Sequence, residues 1–152
     1  LLKAWKAADT SFPFVDSHAK TYSVRDGSDW EQTLKPRLHA RLNASANVVL
    51  FLSSNTRYSR ALREEIDYAI NTKELPIIVV YPELKTMDDI HTQSEFTSTV
   101  TKLWDKLPMF RDNKYKVPVL HVPNNKVLIT KALNDTDLRV STKTKAGDYY
   151  FQ

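Results

Sequence analysis

The chain contains no cysteine, which excludes disulfides and thiolate metal sites. Its four histidines, His18, His39, His91 and His121, are scattered without the spacing of metal ligands, so no metal or other cofactor is expected. Glycine occurs only at Gly27 and Gly147, too sparsely for a G-x-G-x-x-G or Walker-type loop, which needs several in one turn. Any nucleotide must be held by other means. No apolar run approaches the ~20 residues of a membrane-spanning helix, and with no cysteine to keep reduced or oxidised the expectation is a soluble, cytoplasmic protein without a membrane partner. The formal charge is +4, but lysine and arginine are dispersed and no basic stripe carries interleaved aromatics. Nucleic acid is therefore not an expected partner, although the mild basic excess suits an anionic ligand.

With 152 residues the chain is long enough for one domain whose core covers both faces of a small sheet. Continuous apolar, β-branched runs at 47–54 (NVVLFLSS), 75–82 (LPIIVVYP) and 117–122 (VPVLHV) predict strands buried on both faces of a parallel sheet. The run SFPFVD at 11–16 predicts a fourth. Between them lie helical patterns. Trp30, Leu34, Leu38 and Leu42 recur every four residues after a cap at Ser28 or Asp29, with Pro36 marking a kink or a late start. Further helices are predicted over 58–72 and 94–107, and a short last one at NKVLITKALND. Alternating strands and helices imply an α/β, three-layer, doubly wound parallel sheet of flavodoxin-like type. The tail from Asp137 carries no clear pattern.

The helix at 58–72 holds two adjacent glutamates. On a wheel of about 100° per residue with Leu62 at zero, Ile66, Ala69 and Ile70 form the buried stripe, Glu65 falls near −60° at its border, and Glu64 lies at about 200°. Glu64 is expected to be solvated and Glu65 half-buried. A border carboxylate has two readings: an ion-pair partner of Arg57, Arg60 or Arg63, or a group facing the crevice beyond the strands' carboxyl ends, where open α/β sheets bind ligands. The polar run SSNTRYS directly follows a strand tip and supplies Ser53, Ser54, Asn55, Arg57 and Tyr58 as candidates for holding a ribose or phosphate. The same residue types also serve as turn formers and caps. Trp5, Trp30 and Trp104 each lie on an apolar helical face and are expected in the core.

A buried strand, then LSSNTRYSRALREEIDYAI, then the strand LPIIVVYP resembles the central part of TIR domains. More narrowly, LLKAWKAAD, DSHAKTYSVRD, LKPRLHARLNASANVVLFLSSNT and REEIDYAINTKELPIIVVYPE resemble the bacterial TIR-like family typified by ThsB of the Thoeris anti-phage system. The resemblance implies a single TIR-like domain that takes NAD+ as substrate, cleaves its nicotinamide–ribose bond and forms a cyclic ADP-ribose-type signal for a downstream effector. It places the catalytic glutamate on Glu65, where many TIR domains also carry tryptophan four residues earlier; here that position is Ala61. It further implies that the loop at 16–26, from Asp16 to Asp26, serves self-association, with His18, Arg25 or Asp26 shaping the pocket or an assembly contact. An ordinary polar surface loop is the alternative. Family members begin with a central strand, whereas this chain starts within the following helix, so an N-terminally incomplete sheet is expected. Two other activities stay open: a non-catalytic TIR-like interaction module, and a deoxyribosyltransferase-like enzyme that also uses a carboxylate at a ribose. Because unregulated NAD+ consumption would harm the cell, the isolated protein is expected to be nearly inactive.

Overall fold

The structure, a computed structural model, describes residues 29–152. The strand expected at 11–16, the helix at the chain's start, Trp5, Gly27, the cap candidate Ser28, and the 16–26 loop with His18, Arg25 and Asp26 lie outside the described residues.

Asp29 caps the first helix, its side chain accepting from the Glu31 N–H. The opening turn, Trp30–Leu34, is a widened π turn, and the regular helix α1 starts only at Lys35–Asn43, with Pro36 in its first turn. A proline lacks the N–H of an interior helical position and crowds the carbonyl four residues back, so the break falls where Pro36 is tolerated. Strand β1 (Val48–Phe51) follows, then α2 (Arg60–Asp67), which runs into a second π turn at Tyr68–Thr72. That helix ends on Glu74 at φ 51°, the left-handed conformation that usually falls to glycine at a helix terminus. Next come β2 (Ile77–Tyr81), α3 (Ser98–Trp104), α4 (Pro108–Asn113), β3 (Pro118–Pro123), α5 (Lys126–Asn134) and β4 (Gly147–Tyr150). The helix expected over 94–107 is shorter. Thr97 caps it at Val100 N–H, and Pro108 begins a separate helix.

The four strands are parallel and lie in the order β1-β2-β3-β4. Among the described residues β1 pairs only with β2, and its other edge is where the resemblance would put the first strand. Every residue of β2 and β3 is buried, as their unbroken apolar runs require. Alternation then divides the core. Val48, Leu50, Leu52, Ile77, Val79, Tyr81 and Val119 face Leu38 and Leu42 of α1, Ile66 of α2, Val100 of α3 and Phe110 of α4. Ile78, Val80, Leu120 and Val122 face Ile129 and Ala132 of α5. Helices on both faces make this the three-layer α/β architecture, consistent with a flavodoxin-like, TIR-like fold. Trp30 and Trp104 pack against the first of these cores.

The tail that lacked a sequence pattern is structured. After α5 it crosses the strands' amino ends. Asn47 Nδ2 donates to Leu138 O (2.9 Å), Val140 N to Ala46 O (2.7 Å), Lys143 Nζ to Glu74 O (2.7 Å) and Gly147 N to Val117 O (3.2 Å). Gly147, at φ 144°, turns the chain into β4, a conformation other residues rarely adopt.

A polar chain running out from the core fixes β4. The Asp148 carboxylate can only accept, so His121 Nε2–H donates to Asp148 Oδ1 (2.8 Å), while Lys114 Nζ binds the other Asp148 oxygen. That leaves Nδ1 of the neutral ring to accept from the Tyr81 hydroxyl (2.7 Å), whose oxygen accepts in turn from Trp104 Nε1–H (2.8 Å). Burial raises the Tyr81 hydroxyl well above its ordinary range and lowers His121 from its ordinary value, the Asp148 carboxylate opposing the latter only in part. Burial works to raise Asp148, but the His121 hydrogen bond and the Lys114 charge outweigh it and hold the carboxyl below its ordinary range.

A histidine depressed on folding stays neutral in the native state while the unfolded chain takes up a proton. Stability from His121 is therefore complete above its unfolded value of 6.5 and declines as pH falls from there toward the folded value. We expect the melting temperature to drop between about pH 7 and pH 5, and His121→Gln to flatten that slope measured by scanning calorimetry. Equal slopes in both proteins would contradict this assignment.

Candidate functional site

The loop after β1 holds five of the expected contact residues, Ser53, Ser54 and Asn55 in one tight turn and Arg57 and Tyr58 just beyond it. Ser53 N donates to Thr56 Oγ1 (2.9 Å), Thr56 N to Ser53 O (3.1 Å) and Asn55 N to Ser53 Oγ (3.2 Å). Ser54, Asn55, Arg57 and Tyr58 are exposed at the carboxyl end of the strand, and Ser53 is half-buried. Two residues absent from the sequence expectation complete the loop's fixing. Glu83, just past β2, accepts from Ser54 N–H (2.7 Å) and from the Ser54 hydroxyl. Those bonds, with the Lys106 charge nearby, hold the Glu83 carboxyl below its ordinary range. Tyr58 Oη accepts from Met109 N–H (3.0 Å) at the start of α4, so it ties the loop to that helix.

Ser59 caps α2 through the Leu62 N–H (3.1 Å), setting the phase of the helix. Glu65 then lies about 7.5 Å along the axis from Arg60, at 1.5 Å per residue, and points sideways into the contact with α1. There Arg41 Nη2 donates to Glu65 Oε1 at 2.8 Å. Their side chains are 10% and 4% exposed, so this is an interior ion pair. One residue earlier, His39 Nε2 meets Glu64 Oε2 at 2.8 Å, with the side chains 27% and 22% exposed. The His39 ring stacks on Tyr68 at 3.7 Å, and Tyr68 Oη donates to Asn43 Oδ1 at 2.8 Å. Three consecutive odd positions of α1 thus meet polar partners on α2 and the π turn beyond it, forming a polar seam beside the apolar contact with the sheet.

Two expectations need correction. Glu64 is not solvated; it is held by His39. The wheel assumed that α2 rests on the sheet alone, whereas α1 packs along its flank and takes in the side that the wheel assigned to water. Glu65 is buried rather than half-buried, and its cation comes from α1 rather than from Arg57, Arg60 or Arg63. Arg60 instead lies 4.9 Å over the Trp30 ring and pairs with Glu31 at 3.3 Å. A signal for Arg41 existed: on the α1 wheel it sits about 60° from Leu38, at the border of the buried stripe, as Glu65 does on its own helix. The Ser53–Tyr58 loop and Glu65 occupy one helix–loop unit, but their bonds run in different directions, the loop to Glu83 and Met109 and the carboxylate to α1. Among the described residues no cluster of three or more acidic or histidine side chains fits a metal ion, and no helix is long and apolar enough to cross a membrane.

A parallel sheet layered by helices, with a polar loop after strand β1 and a buried glutamate on the helix beyond it, defines a TIR-like α/β domain. Residues 1–87 match the family described as the Thoeris protein ThsB, TIR-like domain, and the chain belongs to that family. That family is of the Thoeris anti-phage defence type. The matched segment contains α1, β1, α2 and β2, hence the whole polar seam and the loop after β1. Of the His121 network only Tyr81 falls within it.

The two ion pairs of the seam should differ in energy. Removing one partner of an interior pair strands a buried charge and costs about 3–5 kcal/mol, whereas a partly solvated pair contributes about 0–1 kcal/mol. In urea unfolding, Arg41→Met should therefore destabilise the protein several-fold more than His39→Ala, and Arg41→Met with Glu65→Leu should recover most of the loss. Equal effects of the two single substitutions would contradict the burial of the Arg41–Glu65 pair.

Proposed function

We propose that the protein cleaves NAD+ at the nicotinamide–ribose bond, with Glu65 as the catalytic carboxylate, and converts the ADP-ribosyl part to a cyclic signal for a downstream effector. The observation that carries this reading is that Glu65 is the single buried carboxylate among the described residues, on the helix that follows the Ser53–Tyr58 loop, within the segment that matches the ThsB family. Nicotinamide leaves with the electron pair of the broken C1′–N bond and so departs as a neutral molecule that needs no general acid. The ribose is left with oxocarbenium character, much as in glycoside cleavage. An ionised carboxylate beside C1′ stabilises that charge or holds the ribose hydroxyls. Attack at C1′ by water gives hydrolysis; attack by a hydroxyl or ring nitrogen of the same ligand gives the cyclic product; in either case one proton is released, from the water, the hydroxyl or the alkylated adenine. Cyclisation prevails only where water is excluded and the adenine end is folded back. Ser53, Ser54, Asn55, Arg57 and Tyr58, and His18 of the 16–26 loop, are the proposed contacts to ribose and phosphate, with assembly of copies through that loop.

One observation favours a second reading. A glutamate in an interior arginine pair is also what a purely structural residue would show, and it supports a non-catalytic interaction module. Product analysis separates the two. Full-length protein incubated with NAD+, with and without extracts of phage-infected cells, should release nicotinamide and a cyclic ADP-ribose isomer identifiable by mass spectrometry. Glu65→Gln should reduce turnover by at least about a hundredfold, the lower range for loss of a catalytic group, while Glu64→Gln retains most of it. Equal losses in two folded variants would remove Glu65 from the mechanism, and no turnover under any condition would support the interaction module.

A further inference from the structure

At 3% exposure Glu65 has no surface to offer a ribose, so catalysis by this residue requires a rearrangement, and the polar seam identifies which element moves. We propose that α1 is an autoinhibitory clasp: Arg41 holds the Glu65 carboxylate shut, and displacement of α1 from α2 exposes it. The inference rests on the reading of Glu65 as catalytic. The side toward the sheet is anchored by Ile66 of α2 and by Ala69 and Ile70 of the π turn that continues it, each at most 1% exposed, and moving it would open the apolar core. The side toward α1 is different. Its contacts include the Arg41–Glu65 and His39–Glu64 pairs, the His39–Tyr68 stack and the Tyr68–Asn43 hydrogen bond. Apart from the interior pair these are partly exposed groups that exchange protein partners for water at modest cost.

The upstream end of the clasp is a break in the helix: α1 joins a π turn at Trp30–Leu34 that ends just before Pro36, a place where the regular hydrogen-bond ladder is already interrupted. Leu38 and Leu42 of α1 are fully buried against the sheet, so the displacement is a rotation or slide of α1 about that apolar contact, with the seam opening while the core stays closed. A ligand or partner that binds the opened form shifts the population toward it by its difference in affinity for the two forms.

The clasp is tested by carbodiimide labelling of carboxylates with an amine nucleophile, read residue by residue by mass spectrometry. The exposed Glu31 serves as reference, and NAD+ turnover is measured on the same samples. In the wild type Glu65 should label at least about tenfold more slowly than Glu31, as expected for an open form populated at 10% or less. Arg41→Gln should bring the two rates close together and raise turnover several-fold, and Glu65→Gln added to it should abolish the gain. Because Arg41→Gln leaves a buried carboxylate without that cation and can lower folding yield, Asn43→Ala with Tyr68→Phe provides a second route. It loosens the seam without touching Arg41 or Glu65, and should raise both labelling and turnover to a smaller extent. Unchanged labelling in folded variants overturns the clasp, and so does faster labelling with lowered turnover, which would make Arg41 a positioning residue. Faster labelling with no turnover in any sample supports the clasp as a physical device and overturns the catalytic reading of Glu65.

Discussion

A carboxylate inside a protein must be matched by a cation, and the Arg41–Glu65 pair at 2.8 Å is the match on which the arrangement of this domain's first helices depends. The interior resists an isolated charge far more strongly than it rewards the pair, so α1 is held in one register along α2. With the register set, His39 falls opposite Glu64 and Asn43 opposite Tyr68. The pair thus organises an interface that the apolar residues alone would leave free to slide. An interface whose specificity comes from polar contacts and whose adhesion comes from Leu38 and Leu42 can change its polar half without giving up its core.

The sheet supplies the contrasting rigid part. β2 and β3 are buried along their whole lengths, and both faces are covered by helices. Their carboxyl ends carry different chemistry on either side. Near β1 and β2 the Ser53–Tyr58 loop is pinned by Glu83 and by Met109, giving a defined polar rim. Toward β4 the Trp104, Tyr81, His121, Asp148 and Lys114 chain satisfies its polar groups internally and secures the last strand. The first region has exposed side chains and a carboxylate paired to the neighbouring helix. The second joins strands and helices through hydrogen bonds from the core outward.

The sequence revealed the parts of this plan that rest on apolar periodicity. The runs around Val79 and Leu120 announced parallel strands buried on both faces, and so they are; the run around Val49 is also a parallel strand, but β1 buries only Val48 and Leu50 and leaves Phe51 exposed, contrary to the expectation. Pro36 announced an interruption, and the structure meets it with a π turn. Glu65 emerged from a wheel because burial follows the helical period. The misplacement of Glu64 has the opposite cause: a wheel knows one helix and one buried direction, while α1 on the flank adds another. Arg41 lies 24 residues from its partner, and no local pattern links the two. The tail was illegible because its order comes from backbone carbonyls of Ala46, Glu74 and Val117 and from a four-residue strand whose anchor, Asp148, binds a histidine 27 residues away. Such contacts leave no periodicity.

The central claim is that Glu65 leaves Arg41 to meet NAD+. Carbon-13 NMR of protein labelled at the glutamate side-chain carboxyl carbons observes this directly, with the Glu65 and Glu64 signals assigned by their glutamine variants. Addition of NAD+ to full-length protein under conditions of turnover should move the Glu65 signal and leave in place that of the exposed Glu74, which lies past the far end of the helix and is likewise assigned by its glutamine variant. Turnover that proceeds while the Glu65 signal stays where it lies in the free protein would contradict the claim.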